Sequence, residues 1–102
     1  MNFKKDYIML IYAIQCELCN DIIFSRARHD CCLCSCENCH IDGGFDYLKI
    51  GYKEPRYHRV CLETDLTQKE LFDDWNLMKD EFGLIKEEDI PKVKKFFTIK
   101  TQ

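Results

Sequence analysis

The alternation of apolar and polar residues divides the chain into a strand-forming part and a helix-forming part. The first strand is predicted at residues 7–15, where the apolar run YIMLIYAI is too short to cross a bilayer and is typical of a buried strand. A Cys-x-x-Cys turn follows, and residues 22–26 are predicted to form the hairpin partner of the first strand. Further strands are predicted at three places: around residues 40–41, at residues 45–52 and at residues 57–63.

Beyond residue 65 this alternation stops and the pattern of a helix begins. Thr67 and Glu70 have the spacing of a capping box, in which each side chain bonds to the backbone amide of the other residue. Apolar residues at intervals of four, three and four positions then share one face of the predicted helix: Leu71, Trp75, Met78 and Phe82. Gly83 is predicted to end it. A second, short helix is predicted around Pro91 from three apolar residues at helical spacing: Ile90, Val93 and Phe97.

These elements predict a small α+β fold. The β-hairpins of residues 1–65 are expected to form an antiparallel sheet, and the helical segment of residues 66–102, with one long and one short helix, is expected to pack on it within a single structural domain. A chain of 102 residues buries only about 60–65% of its unfolded surface. A domain this small therefore needs a further stabilising link.

Eight cysteines are the outstanding feature of the composition, and five of them stand in the ten residues CCLCSCENCH at positions 31–40. No secretory signal is recognisable, so we expect a cytoplasmic protein with a metal site rather than disulfides. Two turns with four thiolates are typical of a structural zinc ion, and Cys16 and Cys19 form the first pair. Spacing alone leaves three choices for the second pair: Cys31 with Cys34, Cys34 with Cys36, or Cys36 with Cys39, of which the usual two-residue spacer favours Cys36 with Cys39.

Residues 14–47, IQCELCNDIIFSRARHDCCLCSCENCHIDGGFDY, resemble a family of small, mostly uncharacterised zinc-ribbon proteins encoded by tailed bacteriophages and their bacterial hosts. The shared motifs are Cys-x-x-Cys, Ser-x-x-x-His-Asp, Cys-x-Cys and Asp-Gly-Gly, and the helical stretch LTQKELFDDWN resembles longer phage members. The resemblance implies one structural zinc ion with four ligands: Cys16, Cys19, Cys34 and Cys36. Glu37 stands where the family usually has Gly, which keeps Cys39 open as a substitute ligand.

The other shared motifs fall on five residues: His29, Asp30, Asp42, Gly43 and Gly44. We expect structural roles for them, with His29 donating to a carbonyl or a cysteine sulfur, Asp30 capping a turn and Asp42 holding the glycine turn. The alternative is a small hydrolase in which His29, Asp30 and Asp42 supply an imidazole and two carboxylates. No Ser-His-Asp order, phosphate-binding glycine loop or zinc-hydrolase helix motif supports this alternative.

A surface of cations and aromatic rings is a second candidate site. Arg26 and Arg28 alternate along a predicted strand, so their guanidinium groups are expected to point the same way and to clamp a phosphate or to pair with nearby aspartates. The hairpin that follows adds aromatic and basic side chains: Tyr47, Tyr52, Arg56, Tyr57 and Arg59. Such a mixture suits stacking on single-stranded nucleic acid or a nucleotide, but a solvated sheet face beneath a helix is the favoured interpretation.

The leading hypothesis is a non-enzymatic zinc-ribbon binding module. The formal net charge is −3, and residues 61–102 carry ten acidic against seven basic side chains, which favours a protein partner over nucleic acid. The resemblance implies a phage accessory protein that docks, in the host cytoplasm, on a host macromolecule of transcription, nucleic-acid metabolism or antiviral defence. Nucleic-acid or nucleotide binding is the alternative, and no membrane partner is predicted.

Overall fold

The computed structural model describes residues 8–54 and 56–101, and within them the chain forms a small α+β fold with two antiparallel sheets. The strands are β1 (Met9–Cys16), β2 (Ile22–Ile23), β3 (Cys32–Leu33), β4 (Cys39–Asp42), β5 (Lys49–Tyr52), β6 (Tyr57–Thr64), β7 (Leu84–Ile85) and β8 (Phe97–Thr101). The helices are α1 (Gln68–Asn76) and α2 (Ile90–Val93), and a 3₁₀ turn, Glu87–Asp89, precedes α2. Tyr7, where the first predicted strand begins, lies outside the described residues.

The larger sheet has the strand order β7-β2-β1-β6-β8. β1 and β6 pair antiparallel along their whole lengths, and the register sets Cys16 opposite Tyr57. On the inner face of β1, Met9, Ile11 and Ala13 are buried, so the predicted alternation of the first strand is confirmed. These residues pack in a hydrophobic core that both halves of the chain build: Ile22, Phe24, Val60, Leu62, Leu66, Leu71, Ile85 and Phe97.

The smaller sheet, in the order β3-β4-β5, covers part of the outer face of β1. Ile14 and Cys16 lie in a second core with Ile41 of β4 and three further cysteines. Leu10 and Tyr12 belong to the same face of β1 but lie beyond this second core, and they are 52% and 56% exposed. One end of the outer face is therefore covered by the smaller sheet, and the other end is open.

The N-terminus of α1 is built as the sequence predicts. The Thr67 hydroxyl accepts a hydrogen bond from the Glu70 amide at 3.1 Å, and the Glu70 carboxylate accepts one from the Thr67 amide at 3.0 Å. The predicted length of the helix is wrong, because α1 ends at Asn76 and not at Phe82.

The end of α1 is set by Asp74, a buried residue of the helix. Its carboxylate accepts hydrogen bonds from the amides of Glu81 and Phe82, at 2.9 and 3.0 Å. These bonds fold the chain back over the helix and interrupt the predicted apolar stripe. As a result Leu71 is fully buried, whereas Met78 is 80% exposed.

The C-terminal segment, predicted to be helical over residues 66–102, also supplies both edge strands of the larger sheet. β7 pairs with β2, and β8 pairs with β6. The predicted position of Phe97 in the second helix is wrong, since Phe97 lies in β8 opposite Thr64 and is fully buried. Both helices among the described residues are short.

Two strands of the N-terminal half are shorter than predicted. The strand predicted at residues 22–26 is reduced to β2, because the chain then bends. The strand predicted at residues 45–52 is reduced to β5, because the amides of Asp46 and Tyr47 bond to the carbonyl of Gly43 in a turn. The strands predicted around residues 40–41 and at residues 57–63 are confirmed as β4 and β6.

Arg26 lies where the shortened strand bends, and it is buried instead of facing solvent. Its guanidinium group contacts the carboxylates of Asp30 at 2.8 Å, Asp74 at 2.6 Å and Asp80 at 3.2 Å. Burial lowers the pKa of Arg26, but the bonds to Asp30 and Asp74 outweigh burial and raise the pKa above its usual range. This charged network ties the loop at residues 25–30 to α1 and to the segment that follows it.

Replacing Arg26 with Met should destabilise the fold by about 3–5 kcal/mol, because two buried carboxylates lose their cation. The matched control is Lys69→Met, which removes an exposed ion pair with Asp73 of similar length, 2.7 Å. That variant should lose less than about 1 kcal/mol. Urea unfolding of metal-loaded protein, followed by circular dichroism, measures both free energies, and equal losses would contradict the structural role of the network.

Candidate metal centre

Four cysteine sulfurs converge where β1 ends and where the chain turns between β3 and β4. They belong to Cys16, Cys19, Cys34 and Cys36, and all four lie within 4.8 Å of one another. Sγ of Cys36 lies 3.6 Å from Sγ of Cys16 and 3.6 Å from Sγ of Cys34. Sulfurs placed tetrahedrally about 2.3 Å from one ion are about 3.8 Å apart. The four residues are thus close enough to hold a metal ion, and the arrangement fits a zinc ribbon.

Each of the two cysteine turns, at residues 16–19 and 34–36, is followed by a residue with a left-handed backbone. These residues are Asn20, with φ 62°, and Glu37, with φ 61°. Their amides close the turns through 2.9 Å hydrogen bonds to the carbonyls of Cys16 and Cys34. Asn adopts this conformation at little cost, but Glu rarely does. Glu37 therefore takes up the backbone conformation to which the Gly of the resembled family is suited.

Backbone amides point at the sulfurs. The Leu18 amide donates to Sγ of Cys16, and the Cys39 amide donates to Sγ of Cys34, both at 3.3 Å. Burial raises the pKa of Cys16, but hydrogen bonds from Cys19 and Leu18 outweigh burial and lower this pKa to about 6. Burial raises the pKa of Cys19 to about 12. The lowered pKa favours the thiolate form of Cys16, whereas Cys19 must release its proton when metal binds.

Cys39, the substitute ligand of the sequence analysis, is not one of the four clustered sulfurs. It is fully buried at the start of β4, and burial raises its pKa to about 12. Its contribution to the centre is the amide bond to Cys34. Asn38 is buried beside it, and its side-chain amide points at Sγ of Cys16 and Sγ of Cys39 at 3.8 and 3.6 Å. Of the choices left open by spacing, the structure therefore selects Cys34 with Cys36.

Asp21 is a residue of the centre that the sequence analysis missed. It is buried, and its carboxylate accepts the amide of Ser35 at 2.8 Å and the amide of Glu87 at 3.0 Å. Burial raises the pKa of Asp21, but hydrogen bonds from Ser35 and Glu87 outweigh burial and lower it. Asp21 thus joins the two cysteine turns to each other and to the C-terminal segment. Its position two residues after Cys19 is the signal that the sequence offered.

The Ser-x-x-x-His-Asp and Asp-Gly-Gly motifs meet in the structure through Ser25. Oγ of Ser25 lies 2.7 and 2.6 Å from the carbonyl oxygens of Ala27 and Asp30, and it accepts a hydrogen bond from the Gly44 amide at 2.9 Å. Gly44 has φ 59° and packs so closely on the backbone of Ala27 that a Cβ would collide with it. Gly43, with φ 109°, accommodates the same turn. These motif residues join the loop at residues 25–30 to the glycine turn at residues 43–44.

The three residues of the hydrolase hypothesis have separate surroundings. His29 is exposed, and among the described residues no sulfur or carbonyl accepts a hydrogen bond from it, so its expected role as a donor is not supported. The carboxylate of Asp30 accepts the Arg26 amide and guanidinium. The carboxylate of Asp42 accepts the Gly43 amide at 2.7 Å, which holds the glycine turn. Within residues 8–54 and 56–101, these three do not form a group that could hold a metal ion.

The cation and aromatic surface is split into separate parts. Arg28 is exposed but Arg26 is buried, so the two guanidinium groups do not form the predicted clamp. The guanidinium of Arg56 lies 5.7 Å from the ring centroids of both Tyr52 and Tyr57, and the two rings contact each other edge to face at 5.3 Å. This cluster adjoins the metal centre, because Tyr57 pairs with Cys16 across the larger sheet.

Tyr47 and Arg59 lie apart from that cluster, next to the outer face of β1. Tyr47 is 46% exposed and lines a hollow with Leu10 and Tyr12. Arg59 is exposed and lines a neighbouring cleft with Tyr12 and Ile14. The aromatic hairpin of the sequence analysis thus contributes to two different surfaces.

One family model matches the chain. It is the model of DUF7695, a domain of unknown function, and the match covers residues 8–52. The matched part runs from β1 to β5, so it includes all four clustered cysteines and excludes β6 and the C-terminal segment. No curated protein and no solved structure gives a significant match.

The described residues contain no helix with the length and apolar character that a membrane crossing requires.

Replacing Cys36 with Ser should weaken metal binding by about tenfold or more, because one of the four converging thiolates is lost. Cys39→Ser should leave the stoichiometry at one metal ion, since its sulfur lies outside the set. Elemental analysis measures the metal stoichiometry of both variants, and cobalt titration followed by visible spectroscopy measures their affinities for metal. Loss of metal from the Cys39 variant with retention in the Cys36 variant would show that the ligand set is wrong.

Replacing Glu37 with Gly should stabilise the metal-loaded fold by up to about 1 kcal/mol. A left-handed residue with a Cβ costs about 1–2 kcal/mol, and Gly gives back about 0.5–1 kcal/mol through its freedom in the unfolded chain. Glu37→Ala is the matched control, because it removes the carboxylate and keeps the Cβ. Urea unfolding compares the two, and an equal change in both variants would mean that backbone strain at Glu37 is not the cause.

Proposed function

We propose that this chain is a zinc-ribbon binding module that holds one structural zinc ion and acts without catalysing a reaction. The observation that carries the proposal is the convergence of four sulfurs from two turns. Sulfur-only tetrahedral sites are typical of structural zinc, and their closed shell leaves no position for an activated water. Binding of zinc contributes on the order of 10–16 kcal/mol in small zinc-folded peptides, which compares with the whole stability of a domain.

We further propose that the partner is a protein of a bacterial host, on which the chain docks in the cytoplasm as a phage accessory protein. The phage origin rests on the resemblance of residues 14–47. The docking role is supported by exposed apolar side chains that cluster on and beside the open end of the outer face, each 46–56% exposed: Ile8, Leu10, Tyr12, Tyr47 and Leu48. Contiguous exposed apolar surface of this kind marks interaction sites.

Binding of single-stranded nucleic acid is the second candidate function. The cluster of Tyr52, Arg56 and Tyr57 favours it, because aromatic rings and a guanidinium beside a zinc site suit base stacking and phosphate contact. The burial of Arg26 removes one of the two arginines on which this hypothesis first depended. The formal charge of −3 also weakens long-range attraction to nucleic acid.

Affinity capture with tagged, zinc-loaded protein from a lysate of the bacterial host should recover one protein in stoichiometric amount. Recovery should survive nuclease treatment, and it should be lost when the bait is Cys36→Ser, whose ribbon lacks a ligand. Mass spectrometry of the eluate is the measurement. A complex that disappears with nuclease would support the nucleic-acid function instead, and equal recovery by the Cys36 variant would contradict the role of zinc in presenting the surface.

A further inference from the structure

A cleft of about 230 Å³ opens between the two sheets. Its floor is the stretch from Tyr12 to Ile14 in β1, and its walls include Ile41, Leu48 and Ile50 of the smaller sheet and its loop. Arg59 of β6 is the charged residue among those that line it. We call this space the interlayer cleft.

The interlayer cleft is sized for a single large side chain. Pockets that enclose small molecules have volumes of about 300–1,000 Å³, so this cleft is smaller than a site for a substrate or cofactor. Apolar clefts of side-chain size at protein interfaces receive one aromatic or aliphatic anchor, which contributes much of the binding free energy. The cleft also adjoins the second hollow, since Tyr12 and Leu48 line both. A bound segment could therefore continue across the open outer face.

The charge at the rim of the cleft limits which segment fits. Arg59 is exposed, and within the described part of the chain it forms no ion pair. Two other charges of the same sheet face, Glu63 and Lys100, pair with each other at 2.8 Å and so neutralise one another. Among the described residues the unbalanced charge beside the cleft is thus positive, and a carboxylate of a partner complements it.

We propose that the interlayer cleft receives an aromatic or large aliphatic side chain of a protein partner, and that Arg59 pairs with an acidic residue next to that anchor in the partner's sequence. The proposal rests on the proposed function, because it takes the partner to be a protein. It adds the place of docking and the chemistry that the partner presents there.

Selection of a random peptide library, displayed on phage, against immobilised zinc-loaded protein tests the proposal. The wild type should enrich peptides that carry an aromatic or large aliphatic residue beside Asp or Glu. Arg59→Glu should enrich Lys or Arg at the neighbouring position instead. Arg28→Glu is the matched control, because Arg28 is also an exposed arginine but does not line the cleft, and it should enrich the same peptides as the wild type.

A second measurement distinguishes loss of peptide binding from loss of folding in the variants. Zinc content and circular dichroism establish that each variant is folded, and a synthetic peptide with the selected consensus is titrated against each. The affinity should fall about tenfold in Arg59→Glu and should stay within twofold in Arg28→Glu. Leu48→Asp, which puts a carboxylate on the wall of the cleft, should weaken binding as well.

The proposal would be overturned if selection on the wild type enriched no peptides with an apolar residue beside an acidic one. It would also be overturned if Arg59→Glu enriched the same peptides as the wild type. If lysate capture still recovers a stoichiometric protein in that case, and Arg59→Glu recovers it equally, the proposed function stands and the docking place is wrong. If the wild-type protein binds no stoichiometric zinc, the proposed function is itself contradicted, and with it the docking proposal that rests on it. Self-association that Arg59→Glu abolishes and Arg28→Glu leaves intact would assign the cleft to a second copy of the chain and would also overturn the proposal.

Discussion

The convergence of four cysteine sulfurs is the constraint on which the rest of the molecule depends. Both cysteine turns lie at the end of β1 where the smaller sheet meets the larger one, and two of the four cysteines, Cys16 and Cys34, are part of the second core. The amides of Leu18 and Cys39 donate to two of the sulfurs, and the carboxylate of Asp21 ties the turns to the C-terminal segment. The position of the smaller sheet, and with it the half-open outer face of β1, follows from where these sulfurs meet.

The sequence predicted those features of the fold that neighbouring residues determine. The alternation of β1, the capping box of Thr67 and Glu70, and the strand β6 depend on neighbouring residues, so they could be recognised in the sequence. The four ligands followed from the resemblance, whereas spacing alone left three choices for the second pair. Tertiary structure decides between them: the sulfur of Cys39, at the start of β4, is not among the four that converge, and the Cys39 amide donates to the sulfur of Cys34.

Contacts between distant residues account for the predictions that were wrong. Asp74 ends α1 through amides seven and eight positions further along, and a helical stripe contains no sign of such a bond. Arg26 was expected on a surface because two arginines alternate, but its partners Asp74 and Asp80 lie far away in the sequence. Phe97 has helical spacing, yet pairing of β8 with β6 places it in the core. In each case a tertiary partner outweighs the local pattern.

The strand order of the larger sheet has a consequence for biosynthesis. Its three inner strands, β2, β1 and β6, come from the first two-thirds of the chain, and both of its edge strands come from the last fifth. A ribosome therefore exposes both cysteine pairs, and the paired β1 and β6, before either edge is protected. Until β7 and β8 emerge, the nascent sheet presents unpaired backbone groups to any neighbouring chain, so rapid capture of metal would favour correct folding over aggregation.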